Sequence, residues 1–218
     1  MFPGAPTTIK LQQDLLYGLI LYLVTYKTAM KKDWIKHSLE HINRGDIILH
    51  PADTVWSLAC DPFDFNAIQQ LFSIKQRDTA KSFILLVSDI EMLKTYVKCS
   101  DDVLDKIQSY IKPTTIIYKE TKHLPDHLLR KEDKSIAIRL VQKDCFVKDL
   151  ITTWGKPLIS TSVNISGETA PNELSEIDET ILKGVDYIVD LQSEIEVDAV
   201  PSSILKLIDS NTFEIIRA

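Results

Sequence analysis

Glycine is scarce in this chain, six in 218 residues, and the six are placed where they build no phosphate-binding loop. Gly4, Gly18, Gly45, Gly155, Gly167 and Gly184 fit neither G-x-x-x-x-G-K nor G-x-G-x-x-G, which excludes the P-loop and the dinucleotide fingerprint. Cysteine is rarer still. Cys60, Cys99 and Cys145 are odd in number and far apart, so they make neither a disulfide framework nor a zinc pattern and point to a reducing cytoplasm. His37/His41 and His123/His127 are each four apart, but neither pair is H-E-x-x-H, so both are read as solvated histidines. There is no G-x-S-x-G nucleophile elbow. Positive charge is also in deficit: a net charge of -6 argues against broad binding to nucleic acid or acidic membranes, and confines any anion site to a local pocket. The apolar run Leu15 to Tyr26 is twelve residues, short of the roughly 20 that span a bilayer. Thr25-Tyr26-Lys27 closes it without a signal-peptide cleavage site.

What is present is ordinary for a globular chain, 44% hydrophobic and 26% charged, and long enough to bury a substantial core. Residues 1–29 read as an N-terminal extension, either upstream of a functional start at Met30 or a helix that docks on the domain; residues 30–218 read as one domain. Asp33 is placed to cap a helix with Ile35, Leu39 and Ile42 on one face and Gly45 as its stop. Strands are expected over 47–49, 55–59, 83–87, 115–118, 136–139, 157–159 and 187–189, with residues 50–54 as a loop because Pro51 and Asp53 disfavour pairing. Helices are expected near 66–74, 90–97, 103–110, 146–153 and 174–183. A closing hairpin of 203–208 with 213–217 turns at Asp209-Ser210-Asn211. Strands mixed with helices give a single α/β domain with a mixed sheet.

Two stretches carry chemistry. In the first, Ile68, Leu71 and Phe72 form one apolar helical face, and the next position on that face is Lys75, followed by Arg77 and Lys81 ahead of an interior strand. A cation placed where a hydrophobe is due costs several kcal/mol unless an anion meets it, although cations in a last helical turn also complement the helix dipole. In the second, the buried strand Pro157–Ile159 runs into Ser160, Thr161, Ser162, Asn164 and Ser166, more short hydrogen-bonding side chains than a turn requires. Ligands of open α/β sheets bind beyond strand ends, within reach of such groups. Arg139, after the apolar Ile136–Ile138, and Arg217, near the C-terminus, are placed to bring guanidinium groups to the same rim.

Lys75-x-Arg77 with Ser162-x-Asn164 resembles the K-x-R…S-x-N signature of the YrdC-like threonylcarbamoyl-AMP synthases. The resemblance is collinear over about residues 31–217. His50-Pro51-Ala52-Asp53-Thr54-Val55-Trp56-Ser57-Leu58 is similar to the family's P-T-D-T-V-Y-G-L, and Lys112-Pro113-Thr114-Thr115 to its P-l-T strand. Ser135 to Arg139 is similar to its g-v-R strand, Pro201-Ser202-Ser203-Ile204 to P-S-T-v, and Ile215-Ile216-Arg217 to i-l-R. The resemblance implies a single twisted α/β domain, a mixed sheet with flanking helices and a concave cationic cavity.

It also implies a reaction: L-threonine, bicarbonate or carbon dioxide, and ATP with Mg2+ give threonylcarbamoyl-AMP and pyrophosphate. The product serves the modification of tRNA beside the anticodon through a downstream transferase of the TsaD type. By the family's pattern Lys75 and Arg77 neutralise the reacting groups and Ser162 and Asn164 fix nucleotide and acyl oxygens. Ala52, Thr54, Thr115 and Arg139 fall on the substrate side, and Ser202 and Arg217 on the nucleotide end. The departures are Ala52 for a threonine whose hydroxyl touches the amino acid, Ser57 and Ala59 for glycines, Ile111-Lys112-Pro113 for P-G-P, and Asp78 for the proline after K-x-R. Weaker threonine affinity, or a different amino acid such as serine, is the expectation from Ala52. The alternative is a degenerate or non-catalytic homologue that binds nucleotide or RNA.

Overall fold

The structure, a computed structural model, describes residues 8–190, 201–209 and 211–218, with side chains from residue 16 onward. Residues 1–7 of the N-terminal extension and Ser210 of the closing turn lie outside the described residues. One mixed sheet runs through the chain. Its strands are β1 (Ile48–Pro51), β2 (Trp56–Cys60), β3 (Ile84–Val87), β4 (Thr114–Tyr118), β5 (Ile136–Leu140), β6 (Leu158–Ser162), β7 (Tyr187–Ile188), β8 (Ser203–Leu207) and β9 (Phe213–Arg217), in the order β7-β1-β2-β6-β3-β5-β4-β8-β9. β3 with β5, β4 with β8 and β1 with β7 are parallel; the other neighbours are antiparallel.

Alternation along each strand decides which layer a residue joins. Leu49, Trp56, Leu58, Leu85, Val87, Ile116, Ile138 and Ile159 point to one face, where α2 (Phe65–Ile74), α3 (Ile90–Tyr96) and α4 (Asp101–Ser109) bury their apolar sides. Ile48, Ala59, Leu86 and Leu158 point to the other, beneath the C-terminal part of α1 (Thr8–Ile42) and α5 (Phe146–Trp154). Those two helices cover only part of that second face. Where they stop, the outward positions of the central strands become Ser57, Ser160, Ser162, Ile84 and Ala137, and a cavity opens above them.

Three expectations are corrected. His50 and Pro51 belong to β1, Pro51 pairing with Trp56. Proline is tolerated there because β7 reaches only Ile48 and Leu49, so among the described residues one edge of β1 has no partner strand beyond Leu49. Asp33 caps nothing: it lies inside α1, which continues unbroken from Thr8. Residues 174–183 are not one helix but a 3-10 turn, Leu174–Glu176, and a short helix, Glu179–Leu182. The break is fixed at Asp178, whose carboxylate accepts from the Thr180 backbone N–H at 2.6 Å and starts a new N-terminus.

Candidate active site

α2 carries its apolar face as far as Lys75, which caps the helix in the right-handed conformation and is 1% exposed. The Gln76 N–H bonds Ser73 O, the Arg77 N–H bonds Phe72 O, and Gln76 has φ 47°. This is the bond pattern of a Schellman terminus, with an exposed glutamine where glycine is usual. The reversal at Gln76 lets Lys75 and Arg77, two residues apart, face the same cavity.

Lys75 reaches across to the loop after β6. Its Nζ donates to Ser162 O and, at 2.7 Å, to Asn164 O, while the Ser166 N–H donates back to Lys75 O at 3.0 Å. Two of three ammonium hydrogens are thus engaged by backbone and one is left for a ligand. Asn164 Nδ2 fastens the same loop through Ile165 O (3.0 Å) and Glu168 O (2.7 Å), and its Oδ1 is buried without a partner among the described residues. Arg77 is held over the Phe83 ring at 5.2 Å by bonds from Nε to Lys81 O and from Nη2 to Ser82 O. Arg217 donates from Nε and Nη2 to Ser202 O. Among the described residues, Lys75, Arg77 and Arg217 have no carboxylate within salt-bridge distance, so backbone carbonyls orient their charges without cancelling them. Burial first, and then the Arg77 charge, lower the Lys75 pKa to about 8; burial also lowers that of Arg77.

A cavity of about 590 Å3 gathers these groups, within the range of small-molecule sites. Lys75, Arg77, Ser162, Asn164, Thr54, Ser202 and Arg217 all line it. Ala52 and Thr115 do not: Ala52 is buried under the wall, and Thr115 lies beneath Ser202, their hydroxyls 2.8 Å apart. Arg139 lines the cavity but is not the free rim cation expected of it. Its Nη1 donates to both oxygens of Asp53, at 2.8 and 2.7 Å, in a pair with both side chains almost fully buried. Asp78, which stands where the family pattern has proline after K-x-R, accepts from the Ala80 N–H at 2.9 Å.

Lys81 and Arg130 add two cations to the lining. Arg130 escaped the sequence reading because it opens the charged run Arg130-Lys131-Glu132-Asp133-Lys134, which looks like a solvated loop. The structure closes that loop through Arg130 N–H to Ser135 O (2.8 Å) and Lys134 N–H to Arg130 O (3.0 Å). No group of three His, Cys, Asp or Glu residues able to hold a metal occurs among the described residues. None of their helices is long and apolar enough to cross a membrane.

Fold and cavity define a class: an α/β domain with a cation-lined cavity on the open half of one sheet face. The family model for Sua5, YciO and YrdC, described as telomere recombination, matches residues 40–218, and the chain belongs to that family. A threonylcarbamoyl-AMP synthase of Pseudoalteromonas translucida is 32% identical over 67% of this chain and 80% of its own length. Another, of Xanthomonas euvesicatoria, is 31% identical over 68% and 81%. Among solved structures, E. coli YciO superposes with a TM-score of 0.70 at 27% identity, covering 84% of this chain and 87% of its own. P. abyssi Sua5 complexed with L-threonine superposes at 0.69 with 22% identity, covering 80% of this chain and 51% of its own. Family membership supports an enzymatic, YrdC-like synthase activity.

Proposed function

We propose that this chain makes L-threonylcarbamoyl-AMP from L-threonine, bicarbonate or carbon dioxide, and ATP, releasing pyrophosphate. Threonine's amine takes up bicarbonate with loss of water to give a carbamate. A carbamate oxygen then attacks the α-phosphorus of ATP as the bond to pyrophosphate breaks. No protein nucleophile is required; the reaction needs two anions held together and charge neutralised at phosphorus. One observation carries the reading: Lys75 and Arg77, without carboxylate partners, share a cavity with Ser162 and Asn164. In this scheme Lys75 and Arg77 meet the carbamate and phosphate oxygens, Asn164 and Ser162 orient the acyl and nucleotide oxygens, and Arg217 with Ser202 holds the nucleotide end.

Mg2+ enters as the companion of ATP and shields its phosphates. The cavity's donors suit phosphate oxygens, and Glu168 is the one acidic residue among the described residues of its lining. We place the protein in the cytoplasm, with its product passed to a TsaD-type transferase for tRNA modification and with weak or no nucleic-acid binding of its own. The test is pyrophosphate release by the purified chain. Release that needs both L-threonine and bicarbonate supports the reading. Nucleotide binding without release favours the degenerate homologue, which Ala52 motivates, and RNA binding that falls steeply with salt favours a non-catalytic RNA module.

A further inference from the structure

Ser57 puts a hydroxyl on the cavity floor where the family pattern has none. It lies in β2, in register with Ser162 across to β6, and is 3% exposed. Its Oγ donates to Val55 O at 3.0 Å, and the Ala52 N–H donates to that same carbonyl at 3.2 Å. The Ser57 hydroxyl therefore sits against the Ala52–Val55 turn, in the wall from which Thr54 also faces the cavity. A serine hydroxyl has one hydrogen and two acceptor lone pairs. With the hydrogen engaged by Val55 O, Ser57 presents acceptor capacity alone. Thr54 forms no hydrogen bond through its hydroxyl among the described residues, so it can rotate to donate or accept and selects neither.

The rest of the lining is rich in donors, from Lys75, Arg77, Lys81, Arg130 and Arg217. An acceptor fixed among donors recognises a ligand group that itself donates. Phosphate and carboxylate oxygens do not. The nucleotide's donors, its ribose hydroxyls and adenine amine, go in the proposed scheme to the Ser202–Arg217 end, which β6, β3, β5 and β4 separate from β2. Of the amino acid's two donor groups, the amine becomes the carbamate and carries its charge toward Lys75 and Arg77, leaving the side-chain hydroxyl. Resting on the function proposed above, we infer that Ser57 is a specificity-determining residue that accepts a hydrogen bond from the side-chain hydroxyl of a β-hydroxy amino acid. It thereby selects that substrate over its deoxy analogue, in a turn where Ala52 offers only a methyl group.

The experiment compares L-threonine with L-2-aminobutyrate, which lacks the hydroxyl, in the full chain and in Ser57→Ala and Ser57→Thr. Ser57→Ala is expected to raise the KM for L-threonine roughly three- to tenfold, leaving the KM for 2-aminobutyrate and for ATP in place. Ser57→Thr, which keeps the hydroxyl, is expected to keep the preference. An unchanged ratio of the two amino acids in Ser57→Ala, or equal losses for both, overturns the inference. If the wild-type chain releases no pyrophosphate with any amino acid, the proposed function fails, and the inference is read from calorimetric binding of the same pair. Tighter binding of L-threonine that is lost in Ser57→Ala supports it; equal affinities, or no binding of either, overturn it.

Discussion

Burial gives Lys75 its strength and sets its limit. A cation kept from water interacts with phosphate in a low effective dielectric, yet burial also makes the charge easier to lose. Its pKa falls from 10.5 to about 8, with the neighbouring Arg77 charge as the second cause. The unfolded chain then holds this proton more tightly than the folded chain does. The group's contribution to stability therefore improves as pH rises from about 8 to 10.5, the window across which the active-site cation disappears. Turnover is expected to fall above about pH 8 with no matching fall in unfolding midpoint. In Lys75→Arg, whose charge persists, this limb should move to higher pH; a limb that stays put belongs to another group. Lys75→Ala or Arg77→Ala is expected to lower the rate of pyrophosphate release by roughly 10²–10³, the scale of one transition-state charge contact. Wild-type rates in both variants would remove them from the reaction.

At the scale of the element, Lys75 was legible in the sequence and the role of Arg139 was not. Ile68, Leu71, Phe72 and Lys75 obey one helical period, so the cation's place on a buried face followed from local spacing. The hydroxyl-rich end of β6 was legible in the same way, as a strand running out into short polar residues. Arg139 ends an apolar strand and reads as a rim cation. Its partner Asp53 is 86 residues away in sequence, on a β1–β2 loop that must reach past β6 and β3 to meet β5, a contact no local pattern shows. Local pattern likewise missed α1 running past Asp33, because a capping residue stops a helix only when the preceding chain leaves it. The Asp53–Arg139 pair makes a prediction about stability. Arg139→Met leaves Asp53 buried and uncompensated, a loss expected at about 3–5 kcal/mol, measured by urea unfolding. The double variant Arg139→Met/Asp53→Leu should recover much of it. Additive losses from the two changes would mean that the pair is not coupled.

At the scale of the whole molecule, α1 divides into two parts that share a backbone and little else. Its C-terminal part packs: Ile35 and Ile42 are buried with α5, Lys31 bridges Asp149 at 2.5 Å, and the Trp154 Nε1–H reaches Asn43 Oδ1 at 3.2 Å just beyond the helix. Its middle does not. Leu16, Leu19, Ile20, Leu21, Leu23 and Val24 are between 44% and 59% exposed, and Tyr17 and Tyr22 more so. A helix held by packing on one half gains little stability from an unpacked half, since most helical stability in proteins comes from tertiary contacts. Exposed apolar surface of this kind also promotes association. Beginning the chain at Met30 is therefore expected to change unfolding free energy by no more than about 0.5 kcal/mol, the scale of a surface change. It should also leave threonine-dependent pyrophosphate release intact and lower the fluorescence of a bound hydrophobic dye. Urea unfolding of the two chains side by side checks the first point. A truncated chain that unfolds several kcal/mol sooner would mean that residues 16–29 hold the α1–α5 layer in place, and that the boundary of the domain lies well before Met30.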